Sequence, residues 1–332
     1  MTTIYVATGD ALAVIGRQDG GWRASIELVG QPTYCLAADP RRPERVYCGT
    51  FGQGLWQSED AGASWRPVGP GIESPAVSSV AVGSDGVVWA GTEPSMLYRS
   101  EDGGESWVAR PTLAELPSAP TWSFPPRPWT HHVRWIAPDP AERARIFVGI
   151  ELGGVMRSLD GGLSWEDRKP GSQYDAHTLA SHPDAPGRLY EAAGGGFAET
   201  RDGGHSWRGH DAGLKWRYLW GLAVDPGDPD VLLVSASPGP REAHDPRSAR
   251  AAMHRRVGQG AWEQVTAGLP DEAGTRGYVL AANPAEPGVF YAAPHDARVH
   301  RSSDGGRAWE ELAIRWPEGY QAEEGNALLV TG

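Results

Sequence analysis

The 332-residue chain carries 42 acidic and 30 basic side chains, and its formal net charge of −12 makes nucleic acid an unfavourable partner. Hydrophobic residues make up 40% of the chain, which is enough to bury a core, and no apolar run approaches the roughly 20 residues that cross a bilayer, so we expect no contact with a membrane. The 44 glycines and 28 prolines lie between short apolar runs, and this pattern predicts many turns and many short strands.

The N-terminal stretch MTTIYVATGD has neither a basic region nor an apolar stretch of the length that export needs. We therefore expect a cytoplasmic protein. Its two cysteines, Cys35 and Cys48, each lie inside an apolar run and are expected to be buried thiols. A disulfide between them would need an oxidising compartment.

An eight-residue pattern recurs five times along the chain. The copies are SEDAGASW (58–65), SEDGGESW (100–107), SLDGGLSW (158–165), TRDGGHSW (200–207) and SSDGGRAW (302–309), with their aspartates at Asp60, Asp102, Asp160, Asp202 and Asp304. The first and second aspartates are 42 residues apart, as are the third and fourth. This period is the length of one four-stranded propeller blade.

Strand-like runs accompany each copy. In chain order they are RVYCGT (45–50), VVWAGT (87–92), RIFVGI (145–150), RLYEAA (188–193), VLLVSA (231–236) and VFYAAP (289–294). We call the eight-residue pattern the box, and the fifth unit keeps only GQGAW (258–262) of it. Each unit reads strand, turn, strand, loop, strand, boxed turn, strand, with Gly, Pro and Asp bounding the β-rich runs.

Six such units fit between residues 31 and 316, and the two ends of the chain supply a seventh. The C-terminal NALLVTG provides an inner strand, and TIYVATG, ALAVIG and GWRASIEL provide three more. The predicted fold is all-β: one seven-bladed β-propeller domain over 1–332, its ring closed by terminal strands that share a blade. The approximate blades are 31–70, 76–111, 129–170, 174–212, 216–268, 276–316, and 326–332 with 3–28.

The repeated box has a structural explanation. Aspartate hydrogen-bonds backbone amides just ahead of it, glycine supplies positive φ, and tryptophan fills the outer layer of a blade. We therefore predict a hairpin clip between the third and fourth strands of a blade. Copies spread around a ring do not converge on one substrate.

The motif S-x-D-x-G-x-x-W resembles the Asp box, or BNR repeat. The resemblance covers nearly the whole chain and implies a propeller, but it is shared by sialidases, sortilin-type receptors, photosystem assembly factors and xyloglucan-active glycoside hydrolases. Sialidase activity is disfavoured because the Arg-Ile-Pro motif of sialidases is missing. The remaining resemblance is to bacterial BNR-repeat proteins described as glycosyl hydrolase-like.

The propeller prediction places polar and aromatic side chains at one end of the inner strands, the top face. At the mouth of the channel, acids and an imidazole form the candidate catalytic set: Glu93, Glu151, Asp175 and His177. The candidate ligand-binding set is Trp129, His132, Arg134, Tyr218, Trp220, Arg276, Tyr278 and His295. Two carboxylates at a defined separation are what glycoside cleavage needs. Aromatic rings stack on sugars, and arginines hold a carboxylate.

Two other interpretations of these residues stay open. They can line a water-filled channel and pair with one another. The histidines at 131, 132, 177 and 295, with Glu151 or Asp175, can also form a metal site, although no spacing resembles a known ligand motif. Apart from this metal alternative, no cofactor is predicted.

Two long segments also map to the top face. They are the link PTLAELPSAPTWSFPPRPWTHH (111–132) and the loop SPGPREAHDPRSARAAMH (237–254). Length variation on one face is typical of a pocket or an interface. The first functional hypothesis is therefore a propeller that binds a small or carbohydrate-like ligand on this face and hydrolyses it if it is an enzyme. The alternative is a non-catalytic scaffold or assembly factor that docks a protein partner there.

Overall fold

A computed structural model describes residues 2–124, 130–294, 296, 298–322 and 324–332. The described residues are almost entirely β. In chain order the strands are β1 (Thr3–Ala7), β2 (Leu12–Gln18), β3 (Gly21–Glu27), β4 (Thr33–Asp39), β5 (Arg42–Thr50), β6 (Leu55–Ser58), β7 (Arg66–Val68), β8 (Val77–Val82), β9 (Val88–Thr92), β10 (Leu97–Ser100), β11 (Val108–Ala109), β12 (Val133–Pro138), β13 (Ile146–Ile150), β14 (Gly154–Ser158), β15 (Ala176–Ser181), β16 (Leu189–Ala193), β17 (Gly196–Thr200), β18 (Arg208–Gly209), β19 (Tyr218–Asp225), β20 (Asp228–Ser237), β21 (Ala252–Val257), β22 (Glu263–Val265), β23 (Val279–Ala282), β24 (Phe290–Ala293), β25 (His300–Ser302), β26 (Glu310–Glu311), β27 (Ile314–Arg315) and β28 (Ala327–Thr331).

Helical structure is limited to three short segments in the described part of the chain. Two are 3₁₀ helices, Pro111–Glu115 and Ala119–Thr121, and one is an α-helix, α1 (Pro240–His244). Across the described ranges, no helix combines the length and the apolar character needed to cross a bilayer.

The strands form seven sheets, and the predicted seven-bladed β-propeller is confirmed. Blade I is β4–β7, blade II β8–β11, blade III β12–β14, blade IV β15–β18, blade V β19–β22, blade VI β23–β26, and blade VII runs in the order β27-β3-β2-β1-β28. In blade VII the terminal strands β1 and β28 are antiparallel neighbours, with Thr3 opposite Thr331 and Ala7 opposite Ala327. The pairing of the two chain ends in one blade is therefore also confirmed.

Two blades depart from the predicted four antiparallel strands. In blade III the fourth strand is reduced to an isolated bridge between Arg157 and Glu166. Blade VII gains a fifth strand because β27 pairs in parallel with β3, Ile314 opposite Trp22. The period of the boxes carries no information on either feature, since both lie outside the boxed turns.

The chain divides into two compact units. Unit 1 comprises Met1–Thr33, Ala192–Phe197 and His210–Gly332, and unit 2 comprises Tyr34–Glu191 and Ala198–Gly209. Alternating burial along the strands, as in β4, forms the apolar clusters inside each unit. Burial of each large apolar side chain stabilises the fold by roughly 1.5–3 kcal/mol.

The five boxed turns share one hydrogen-bond pattern. In blade III the Ser158 hydroxyl donates to Asp160 Oδ1 at 2.8 Å and accepts from the Gly162 amide at 2.8 Å, while the Ser164 amide donates to Asp160 Oδ1 at 2.9 Å. The other copies repeat these contacts. The aspartate thus closes the turn that follows the third strand, and its oxygens are occupied by the turn itself.

Buried thiols follow from the apolar runs that contain them. Cys35 and Cys48 are free cysteines, 9% and 0% exposed. Burial raises the pKa of the Cys35 thiol to about 12 and raises that of Cys48 as well. Neither thiol is therefore ionised at neutral pH.

The long link between blades II and III contributes to the core of unit 2. Leu113, Leu116 and Trp122 are buried in a cluster with strand residues of blades II and III. The Ser118 amide donates to Asp167 at 2.9 Å, and the Trp122 ring nitrogen donates to the Ser118 hydroxyl at 3.0 Å. This part of the link is packed structure rather than a free docking loop.

Candidate functional site

Six predicted residues lie together in unit 2, at the ends of strands from three blades. The antiparallel pair Val133–Ile150 brings together the residues just outside it, His132 before β12 and Glu151 after β13. The other four are Glu93 directly after β9, Arg134 inside β12, Asp175 directly before β15 and His177 inside it. We call these six residues the Glu151 cluster.

Glu151 makes the closest contacts of the cluster. His132 Nε2 lies 3.0 Å from Glu151 Oε2 at hydrogen-bond distance, and Arg134 Nε lies 3.6 Å from the same oxygen. On the other side of the imidazole, His132 Nδ1 lies 3.5 Å from Glu93 Oε2. The result is a chain of carboxylate, imidazole and carboxylate, with the side chains of His132 and Glu151 only 1% and 9% exposed.

Asp175 and His177 form the second half of the cluster. His177 Nε2 lies 3.4 Å from Asp175 Oδ2, and one donor atom each from Glu151, Asp175 and His177 lie within 4.8 Å of one another. The His177 side chain is fully buried, whereas that of Asp175 is 23% exposed. Asp175 is therefore the carboxylate of this group that solvent or a ligand reaches most easily.

The surroundings of Glu151 keep it ionised. Burial by itself raises the pKa of the carboxyl, but the hydrogen bond from His132 and the charges of His177, His132 and Arg134 outweigh it and hold the pKa at about 2. At neutral pH Glu151 is a carboxylate that accepts hydrogen bonds or binds cations, and it has no proton to donate. This environment disfavours Glu151 as the general acid of a glycosidase.

Aromatic rings flank the polar groups. The Arg134 guanidinium lies 5.8 Å from the centre of the Tyr34 ring, and Tyr34 in turn lies 5.6 Å from Phe51. Phe124 meets the His132 ring edge to face at 4.9 Å. Phe124 was not predicted, because a single aromatic in a long link carries no periodic signal.

Other predicted ligand residues lie in unit 1. The Tyr218 hydroxyl lies 3.1 Å from His244 Nε2, and the Trp220 ring lies 4.3 Å from the same imidazole. His244 is the last residue of α1 and was not predicted. Arg276 is half-buried, and Tyr278 is 1% exposed within the apolar core of this unit. Trp129 and His295 lie outside the described residues.

No protein-family model matches the chain, and no curated protein matches it in sequence. Solved structures do resemble it. An ancestral GH74 enzyme has a TM-score of 0.67 at 19% identity, covering 88% of this chain and 40% of the enzyme chain. YCF48 bound to D1 peptide has a TM-score of 0.59 at 16% identity, covering 85% and 81%.

The WD40 repeats of RRP9 have a TM-score of 0.60 at 13% identity, covering 94% of this chain and 86% of that one. This chain thus spans less than half of the GH74 enzyme and most of the other two. At these identities the likeness shows the fold alone, a β-propeller.

Proposed function

We propose that this propeller binds a small, carbohydrate-like ligand at the Glu151 cluster. The observation that carries the proposal is that blades II, III and IV bring six polar side chains into one cluster of unit 2, linked by pairwise distances of 3.0 to 3.6 Å and by donor atoms of Glu151, Asp175 and His177 within 4.8 Å of one another. Repeat positions elsewhere in the chain hold Gly9, Phe51 and Ser237 where this region has Glu93 and Glu151. Polar groups that converge beside aromatic rings are typical of sites that orient a polyhydroxylated ligand.

The roles of the residues follow from their exposure and charge. Asp175 is the accessible carboxylate and accepts hydrogen bonds from ligand hydroxyls. Glu151 and Arg134, held against each other, position the buried end of the ligand, and the Tyr34 ring offers a stacking face. If the protein hydrolyses its ligand, Asp175 is the carboxylate that acts as base or nucleophile, and Glu151 is not the proton donor.

The test is calorimetric titration of the chelator-treated chain with a panel of neutral and acidic oligosaccharides, together with a reducing-end assay. Asp175→Asn should weaken binding by roughly 10- to 100-fold, the loss expected for a hydrogen bond to a charged group. Asp184→Asn is the matched control, because Asp184 is an exposed aspartate beyond the other end of β15. The proposal fails if no sugar of the panel binds, or if both variants bind as the wild type does.

A second candidate function is docking of a peptide. It is favoured by the similarity to YCF48, a propeller solved with a D1 peptide and matched over 81% of its length. Deleting 112–127 does not test it cleanly, because that deletion removes Leu113, Leu116 and Trp122 from the core. A deletion of 125–128 spares these three residues. It should abolish capture of a peptide partner while Asp175→Asn leaves that capture intact, and the opposite result would exclude this function.

A further inference from the structure

We propose that Glu151, Asp175 and His177 form a binding site for a divalent transition-metal ion of the Zn²⁺ or Mn²⁺ type. The inference goes beyond ligand binding, since it concerns these three donors whatever organic molecule the cluster accepts. Two carboxylates and one imidazole make a mixed oxygen and nitrogen donor set. Carboxylate oxygen suits Mn²⁺, and imidazole nitrogen suits Zn²⁺.

The spacing of the donors fits such an ion. Two ligands about 2.1 Å from a tetrahedral ion stand about 3.4 Å apart. His177 Nε2 and Asp175 Oδ2 are separated by 3.4 Å, and the Glu151 donor lies within 4.8 Å of both. A small rotation of the Glu151 side chain would therefore complete three-fold coordination. Asp175 is 23% exposed, which provides a path of entry and room for water as a further ligand.

Residues around the three candidate ligands contact them, as residues around the ligands of known protein metal sites do. His132 Nε2 is hydrogen-bonded to Oε2 of Glu151, and Arg134 Nε lies 3.6 Å from the same oxygen. Glu93 Oε2 lies 3.5 Å from the other nitrogen of His132. Partners that contact a ligand in this way orient carboxylate ligands and tune the affinity for the metal.

The charge of the cluster also favours a cation. Glu93, Glu151 and Asp175 supply three carboxyl groups and Arg134 supplies one guanidinium, so the acidic side chains outnumber the arginine by 3 − 1 = 2. A divalent cation would offset this excess of acidic groups. Burial of unbalanced carboxylates is expensive unless they are paired or bind a metal.

Nothing in the repeat requires these residues. The positions equivalent to Glu151 and His177 hold Phe51 and Tyr34 in blade I, and Ser237 and Trp220 in blade V. The set of two acids and one histidine is confined to blades III and IV. Its presence is therefore a local departure from the pattern that builds the blades.

The experiment titrates ZnCl₂ and MnCl₂ into the full chain after treatment with chelator, in the absence of sugar. Wild type should bind one equivalent. Asp175→Asn and His177→Gln should each weaken binding by at least about ten-fold, since loss of an outer partner alone costs roughly 10- to 100-fold. Asp184→Asn should bind as wild type does. Cobalt(II) gives a second readout: its visible absorption should appear with wild type and be lost in both ligand variants.

The proposal is overturned if wild type binds neither ion stoichiometrically, or if both ligand variants keep the wild-type affinity and cobalt spectrum. His177 is fully buried, so circular dichroism decides whether His177→Gln is folded; if it is not, Asp175→Asn alone decides the outcome. Sugar binding is measured with chelator present and again with metal added. A sugar-binding protein without metal affinity, and a metal site without sugar affinity, are therefore distinguished.

Discussion

Glu191 should lower the stability of the protein at neutral pH, and Glu191→Gln should remove that penalty. Glu191 lies in the middle of β16 and is 0% exposed. The backbone N–H of Gln173 donates to Glu191 Oε2 at 3.0 Å, and Glu191 Oε1 has no hydrogen-bond partner among the described residues. A glutamine keeps the shape of the side chain and the acceptor for Gln173 but cannot ionise.

The magnitude follows from the pKa of this carboxyl. Burial raises the pKa from 4.5 to about 8, opposed only in part by the hydrogen bond from Gln173. Because the folded pKa is the higher one, the unfolded chain loses its proton first as pH rises, and stability falls between pH 4.5 and about 8. The penalty is under about 1 kcal/mol at pH 5 and about 3 kcal/mol at pH 7, at roughly 1.4 kcal/mol for each pH unit.

The assay is equilibrium urea unfolding of wild type and Glu191→Gln at pH 5, 6 and 7, followed by tryptophan fluorescence. The variant should gain about 2 to 3 kcal/mol relative to wild type between pH 5 and pH 7. Glu44→Gln is the control, because Glu44 is exposed and its variant should show no such trend. An equal difference between Glu191→Gln and wild type at all three pH values would refute the argument, since the carboxyl would then ionise without penalty.

Three further changes test the turns, a buried imidazole and the link. Ala61 has φ 57° where the other boxes have glycine, so Ala61→Gly should stabilise the protein by about 0.5–1 kcal/mol. Gly161 has φ 74° and open space around it, so Gly161→Ala should destabilise the protein by about 1 kcal/mol. The urea midpoints of the two variants should therefore shift in opposite directions, and shifts in the same direction would contradict this. Burial lowers the pKa of His254 to about 4, so the stability that it contributes above pH 6.5 is lost as pH falls toward 4, and His254→Gln should flatten that part of the melting profile. Deleting 112–127 removes Trp122 and two buried leucines, so the free energy of unfolding should fall by at least about 5 kcal/mol, or the unfolding transition should lose its cooperativity. Thermal unfolding followed by circular dichroism checks this, and a wild-type melting curve would contradict the packing described.

The fold was predictable because a repeat reports the same geometry several times. Asp60 and Asp102 mark one blade length, and the complementary strands at the chain ends supply the closing blade. The departures in two blades were not predictable. The fourth strand of blade III is reduced to the bridge at Glu166, and Ile314 pairs with Trp22 across a long sequence distance. Both depend on tertiary packing rather than on local propensity.

The site was predictable in part. Alignment of equivalent strand ends placed His132, Glu151 and Asp175 at the same end of their blades. The structure brings these three residues into one cluster of unit 2. The alignment gave no information on which side chains would contact each other, because contacts depend on rotamers and on the register shift between Val133 and Trp135. It also gave no indication that Glu151 would be held as a carboxylate rather than as an acid.

Glu191 is a feature of the sequence that the prediction of the site did not use. The equivalent position of the second strand is Cys48, Ala90, Val148, Val234 and Ala292 in blades I, II, III, V and VI, and every one of these side chains is fully buried. A carboxyl in that series carries a desolvation penalty that an alanine or valine avoids, so the fold gains nothing from it. The same argument separates Glu191 from the boxed aspartates. The box closes the same turn in five of the seven blades, so the fold explains its aspartates. A buried ionisable group at a position that other blades fill with apolar residues is not explained by the fold, and such a position is a candidate for chemistry.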